Sequence, residues 1–107
     1  MSEIFARIAM LAVQGQVLIS AHGYDELAED DILATEIISG VSAGVLLEEY
    51  PDYAKGPCVL LLQQDSSGKP VHAVWGIPAG QDHPAVLITA YRPDPARWSE
   101  DFRRRRK

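Results

Sequence analysis

The residues of this sequence best suited to acid–base chemistry are its three histidines, His22, His72 and His83. An imidazole exchanges a proton near neutral pH, so two histidines can act as the general base and general acid of one reaction. His22 lies just after Ser20, the predicted cap of a short helix, and His72 lies in the middle of a predicted strand. We predict His22 and His72 as catalytic residues and interpret His83, which precedes a proline, as a loop residue.

The end of the last predicted strand carries Tyr91 and Arg92, a phenol beside a guanidinium. We predict Tyr91 as a third catalytic residue. Arg92 and Arg97 are predicted to bind substrate, because a guanidinium can hold a phosphate through two hydrogen bonds. Structural alternatives stay open: Tyr91 packed on Trp98, Arg92 paired with an acid such as Asp94, and histidines that serve the fold alone.

Common catalytic motifs are absent from the sequence. There is no glycine-rich phosphate loop, no His-x-x-x-His pair, no Gly-x-Ser-x-Gly elbow and no Cys-x-x-Cys. The single cysteine, Cys58, excludes an intramolecular disulfide and a cysteine-based metal site. We therefore predict neither a metal nor a cofactor.

The location predicted from the sequence is the cytoplasm. A lone cysteine in an apolar run suits a reducing compartment. Residues 1–7 lack the features of a secretory signal, and no apolar run approaches the roughly 18 residues that span a bilayer. No membrane partner is expected.

Charge is distributed unevenly along the chain. Residues 97–107 carry six Arg or Lys against two acids, which is +4, whereas residues 1–96 carry four against thirteen, which is −9 and gives the total of −5. A basic tail on an acidic body can contact nucleic acid phosphates, an acidic partner surface or its own domain. The alternative is the solvated end of a C-terminal helix, whose dipole favours cations there.

The hydrophobic pattern predicts helices in the N-terminal third. Ile4, Ile8 and Leu11 recur at helical spacing ahead of Gly15. A weak helical turn should follow Ser20. A further helix should begin with Asp30 and Asp31 as its N-cap and first-turn acid and end at Gly40. Residues 17–19 are interpreted as extended or buried chain between the first two helices.

From Gly44 the pattern changes to strands and hairpin turns, which predicts a four-stranded antiparallel meander over residues 45–50, 58–63, 71–77 and 85–91. Asp94 followed by Pro95 is typical of a helix start, so residues 95–104 are predicted to be helical. The predicted fold class is α+β: N-terminal helices packed on a four-stranded antiparallel sheet, with a C-terminal helix. Residues 1–107 are interpreted as one domain with a basic tail at 97–107.

Several segments together resemble a known prokaryotic family over roughly residues 16–100. They are Ser20-Ala21-His22, Tyr50-Pro51-Asp52-Tyr53, Gly68-Lys69-Pro70-Val71-His72 and Thr89-Ala90-Tyr91-Arg92-Pro93-Asp94-Pro95-Ala96-Arg97-Trp98. The chain is identified on these segments as a member of the family of the domain of unknown function 4258. The resemblance matches His22, His72 and Tyr91 to the family's helix-leading histidine, strand histidine and terminal aromatic residue.

That family is similar to plasmid toxins of the RelE and ParE kind, in which N-terminal helices pack on an antiparallel sheet. The resemblance implies a toxin-like ribonuclease or a gyrase-type inhibitor, encoded beside an antitoxin. Expected partners are therefore an antitoxin-like protein and RNA, and a homodimer is a further expectation.

Two functional hypotheses follow. The first is a metal-independent endoribonuclease of a toxin–antitoxin system, in which His22 and His72 share acid–base work and Arg92 or Arg97 stabilises the phosphorane. The second is a non-catalytic interaction module that binds a partner, or itself, through the sheet face or the C-terminal helix. The first requires both histidines to converge in one cleft.

Overall fold

The computed structural model describes residues 2–106, and its regular elements follow the change of pattern in the sequence. In chain order they are α1 (Glu3–Val13), β1 (Val17–Ile19), α2 (Ala21–Glu29), α3 (Ala34–Ser39), a 3-10 turn (Val41–Ala43), β2 (Val45–Tyr50), β3 (Cys58–Gln64), β4 (Pro70–Gly76) and β5 (Ala85–Tyr91). Lys107, the last residue of the predicted basic tail, lies outside the described residues.

Helices α1 and α2 begin where serines cap them. Ser2 Oγ accepts a hydrogen bond from the Phe5 amide at 3.0 Å, and Ser20 Oγ accepts one from the Gly23 amide at 2.9 Å. Each bond satisfies an amide that has no partner within its helix. Ser20 Oγ also donates to the Ile88 carbonyl at 2.7 Å, which ties the start of α2 to β5.

The five strands form one mixed sheet in the order β1-β5-β4-β3-β2. The protein is an α+β fold, but the predicted four-stranded, wholly antiparallel sheet is wrong. The fifth strand, β1, is only three residues long and pairs in parallel with β5, Val17 opposite Ala85 and Ile19 opposite Leu87. Because β1 and β5 are parallel and far apart in sequence, no turn motif joins them, and the sequence pattern does not indicate their pairing.

The predicted C-terminal helix over residues 95–104 is also wrong. Asp94 does start one turn, since its carbonyl accepts from the Arg97 and Trp98 amides. Ser99 and Asp101 then bond the backbone locally: Ser99 Oγ accepts from the Arg104 amide, and Asp101 Oδ1 accepts from the Arg103 amide. Such side-chain bonds compete with a helix.

The chain reverses instead of continuing as a helix. Phe102 has a φ of 60°, and an isolated bridge pairs Trp98 with Arg105. Residues 93–106, named here the return segment, consequently fold back over the sheet.

The sheet has two unlike faces because its side chains alternate. The inner face packs against the helices and forms the main core, which includes Ile8, Ile37, Leu61, Trp75 and Leu87. The outer face carries His72 and Tyr91 and is partly covered by the return segment.

The main core contains one buried polar relay. Trp75 Nε1 donates to Gln63 Oε1 at 2.9 Å, and Gln63 Nε2 donates to the Ile37 carbonyl at 2.8 Å. The amide of Gln63 thus satisfies an indole on β4 and a carbonyl on α3, and links the sheet to the helical layer.

Candidate functional site

A cleft of about 620 Å³ lies on the outer face, where β5 ends and the return segment crosses the sheet. It is named here the arginine cleft, because guanidinium groups dominate its lining. The lining comprises Tyr91, Arg92, Asp94, Ala96, Arg97, Trp98, Arg105 and Arg106. Four cationic side chains therefore share the cleft with a single carboxylate among the described residues.

Arg92 is held at the edge of the arginine cleft by two acids. Its backbone amide donates to Asp30 Oδ2 at 2.8 Å, and its Nη2 lies 2.9 Å from Asp65 Oδ2. The predicted partner Asp94 is thus not the acid that pairs with Arg92. Arg92 Nη1 is buried and forms no hydrogen bond within the described part of the chain.

Arg105 is one of the residues that attach the return segment to the sheet. Its guanidinium forms an ion pair with Glu48 at 2.9 Å and stacks over the Trp98 ring at 4.8 Å. The hydrogen bond from Arg105 is the main reason that the pKa of Glu48 is lowered. A charged pair and a cation–π contact therefore hold the outer wall of the cleft in place.

Arg97 is a highly exposed cation of the cleft. Its side chain is 83% exposed, and its only ion-pair partner among residues 2–106 is Asp94, at the long distance of 4.0 Å. A pair of this kind contributes little to stability. The Arg97 guanidinium is consequently available to an incoming anion.

His72 lies beneath the arginine cleft and is completely buried. Its Nε2 is 2.8 Å from the Phe102 carbonyl oxygen, and its ring contacts Trp98 edge-on with 4.3 Å between centroids. A carbonyl can only accept, so Nε2 carries the proton of the neutral ring and Nδ1 keeps a lone pair. Nδ1 is buried and has no partner among the described residues.

Burial lowers the pKa of His72, and the positive charge of Arg105 lowers it further, against the opposing effects of the Phe102 bond and Glu48. The unfolded chain therefore binds this proton at a higher pH than the folded chain. The contribution to stability is complete above about pH 6.5, the unperturbed value, and is lost as the pH falls toward the folded pKa.

We expect the free energy of unfolding to fall between pH 7.5 and pH 5.5 in the wild type and to change much less in His72→Leu. Urea titrations at the two pH values measure this difference. His83→Ala, which alters an exposed loop histidine, is the control and should keep the wild-type drop. An equal drop in His72→Leu would show that another group is responsible.

Tyr91 connects the buried histidine to the cleft. It pairs with His72 across β4 and β5, and the two rings meet edge-on at 5.5 Å. Burial is the largest cause of a raised pKa for the Tyr91 phenol. The phenol consequently remains protonated at neutral pH and can donate a proton or a hydrogen bond.

His22 lies elsewhere on the surface. Its Nε2 pairs with Glu26 at 3.1 Å, its side chain is 66% exposed, and it lines a second cavity of about 400 Å³. The structure therefore brings Tyr91, Arg92 and Arg97 to one cleft, with His72 directly beneath, and leaves His22 lining a different cavity.

Arg105, Arg106 and Glu48 belong to this site and were missed by sequence reasoning. The run of arginines was visible as a basic tail, but its return over the sheet depends on tertiary contacts. Within residues 2–106, no group of three His, Cys, Asp or Glu side chains is arranged to hold a metal ion. None of the described helices is long and apolar enough to span a membrane.

Comparison with protein families places most of the chain in one of them. The model of the family described as "Domain of unknown function (DUF4258)" matches residues 19–92, which is more than half of the chain. The match includes His22, His72, Tyr91 and Arg92. Neither the curated proteins nor the solved structures contain a significant match.

Proposed function

The chain belongs to the DUF4258 family, and from this premise we propose that it is a toxin-like, metal-independent endoribonuclease that binds single-stranded RNA in the arginine cleft. One observation carries the proposal: four arginines line one cleft together with Tyr91, whose phenol is protonated at neutral pH. The similarity to RelE and ParE toxins remains a prediction from the sequence.

The cleft suits a phosphodiester because its cations are both numerous and oriented. Arg92 and Arg105 are fixed by ion pairs at 2.9 Å, whereas Arg97 is free to move. Fixed guanidinium groups present their donors without a further ordering cost, and a mobile one can close on the ligand. The net charge of −5 is thus offset locally where the phosphate binds.

The proposed reaction is attack of a ribose 2′-oxygen on the adjacent phosphorus, with departure of the 5′-oxygen. Asp94, the carboxylate of the cleft, accepts the 2′-hydroxyl proton, and the Tyr91 phenol gives its proton to the leaving oxygen. The products are a 2′,3′-cyclic phosphate and a 5′-hydroxyl. The arginines stabilise the negative charge of the phosphorane.

In this proposal His72 is a positioning residue for Tyr91 and Trp98. It is completely buried and reaches the cleft only through its edge-on contacts with Tyr91 and Trp98. The predicted convergence of His22 and His72 in one cleft is not met, because His22 lines the second cavity and pairs with Glu26. The shared acid–base role of the two histidines is therefore not part of this proposal.

We expect the purified protein to cleave single-stranded RNA in the presence of EDTA. Tyr91→Phe should reduce the cleavage rate by about 100-fold, since general acid catalysis contributes factors of that order.

Arg97→Ala should weaken RNA binding by about tenfold. It should also reduce the slope of the logarithm of the binding constant against the logarithm of the salt concentration by about one unit.

The matched control is Arg7→Ala, which removes one exposed cation from α1, remote in sequence from the cleft. It should bind and cleave RNA as the wild type does. In cells, induced expression should arrest growth and fragment RNA, and Tyr91→Phe should relieve both effects. Intact RNA and normal growth with the wild type would contradict the proposal.

A non-catalytic interaction module is the second candidate, and exposed apolar residues on α1 favour it. Val13 is 81% exposed and Met10 is 54% exposed. Val13 also lines a shallow apolar cavity of about 360 Å³ together with Ile38. If RNA is neither bound nor cleaved while the protein co-purifies with a partner, and Val13→Ser abolishes that association, this candidate replaces the first.

A further inference from the structure

The second cavity, about 400 Å³ in volume, has an apolar floor and a polar rim. Val86, Ile88 and Gly76 from the outer face of the sheet form the floor, while His22, Tyr53 and Lys55 stand at the rim. A concave apolar surface with a few polar groups is the usual form of a small-ligand site. The cavity is named here the base pocket, for the occupant argued below.

Both walls of the base pocket are fixed by the fold. On one side, the loop carrying Tyr53 and Lys55 is bonded to the loop after β4: the Lys55 carbonyl accepts from the Ala79 amide at 3.0 Å. On the other side, the start of α2 is held by the bond from Ser20 Oγ to the Ile88 carbonyl at 2.7 Å. The cavity is therefore present before any ligand arrives.

The rim offers groups that suit a planar heteroaromatic ligand. The Tyr53 ring is 53% exposed and can stack on a base, and such stacking tolerates any base because each has a π-face. Glu26 occupies His22 Nε2, which leaves the Nδ1 edge for a hydrogen bond to a ligand. Lys55 has no ion-pair partner among residues 2–106 and can meet a phosphate.

The base pocket and the arginine cleft lie along the same strand on the same face. Val86 and Ile88 contribute to the pocket and Tyr91 to the cleft, all from β5. Ile88 and Tyr91 are separated along the strand by roughly 10 Å at the usual rise per residue, a span of roughly one or two nucleotides of extended single strand. A strand whose phosphate lies in the cleft can therefore bring a neighbouring base to the pocket.

We infer that the base pocket binds one nucleobase of single-stranded RNA, one or two nucleotides from the phosphate held in the arginine cleft, and so selects where the strand is cut. This inference rests on the proposed function for its ligand. It gives His22 a binding role and explains why an apolar cavity lies beside a cationic cleft.

The test is an abasic scan by fluorescence anisotropy. A set of short RNAs, each lacking one base and carrying 2′-O-methyl riboses that the proposed reaction cannot cleave, is titrated with the wild type, with Tyr53→Ala and with Tyr24→Ala. Tyr24 is a control tyrosine that is exposed on α2 and does not line the pocket. The wild type should lose about tenfold in affinity at one position, since stacking of a base contributes on that scale. Tyr53→Ala should show no such loss, and Tyr24→Ala should match the wild type.

The outcomes separate the two proposals. If the wild type binds RNA but every abasic RNA binds equally well, the base pocket is refuted and the cleft proposal stands. If the wild type binds no RNA, the proposed function fails. Methyl NMR with adenosine and uridine then tests separately whether the base pocket binds a nucleobase. Shifts of the Ile88 and Val86 methyls that vanish in Tyr53→Ala would support base binding, and their absence would refute it.

Discussion

Replacing Gly56 by alanine will destabilise the protein by about 3 kcal/mol or more, placing the substitution at the upper end of single-residue effects. Gly56 has a φ of +130°, a conformation that residues with a Cβ rarely adopt. A Cβ at this position would lie 1.9 Å from the Ile77 carbonyl oxygen and 2.7 Å from the Ala79 amide nitrogen. These are backbone atoms, so the loop before β3 must move away from the end of β4.

Gly68→Ala is the matched control for this substitution. Gly68 also has a positive φ, +80°, but no atom lies within 4 Å of the Cβ that alanine would add. Its cost should be conformational only, about 1 kcal/mol. Urea denaturation of both variants measures the difference, and equal losses would mean that the close approach at Gly56 is relieved without cost.

The second large effect is expected at the buried relay of the core. Gln63→Leu keeps the approximate volume of the side chain but leaves the Trp75 indole N–H and the Ile37 carbonyl without their partner. Each buried group left unpaired costs about 1–3 kcal/mol, so the total loss for the two groups should be about 2–6 kcal/mol. Gln64→Leu, the same change at the exposed neighbouring position on β3, should be close to neutral.

A double-mutant cycle tests whether the relay is the cause. Adding Trp75→Phe to Gln63→Leu removes the indole N–H that the first substitution leaves unpaired. The loss of unfolding free energy in the double variant should therefore be smaller, by about 1 kcal/mol, than the sum of the losses in the two single variants. Simple additivity would indicate that packing, rather than the hydrogen bond, accounts for the loss at Gln63.

The local elements were the part of the fold that the sequence could predict. Ser20 as a helix cap, the stop of α1 near Gly15 and the strands β2 to β5 follow from spacing and turn chemistry. The helix α3 begins later than Asp30 and Asp31 suggested, because Asp30 bonds the Arg92 amide instead and Asp31 has a φ of 53°. These departures arise from contacts with distant segments.

The sequence predicted the residues of the candidate site at the end of β5. It did not predict the outer wall, which the return segment forms. Tyr91 and Arg92 end a strand whose position follows from its pattern. Arg105 lies at the site only because the return segment reverses at Phe102 and pairs with Trp98 and Glu48. Sequence periodicity holds no information on that reversal, since Trp98 and Phe102 are spaced as a helical pair would be.

The attachment of β1 and α2 to β5 also sets an order of events during synthesis. The bond from Ser20 Oγ to the Ile88 carbonyl joins residues 68 positions apart, and β1 pairs with the same strand. Contacts so distant in sequence form late, because the intervening chain must first be made and its ends brought together. A nascent chain that lacks β5 cannot assemble either cavity, so any activity that depends on them begins only after the last strand has left the ribosome.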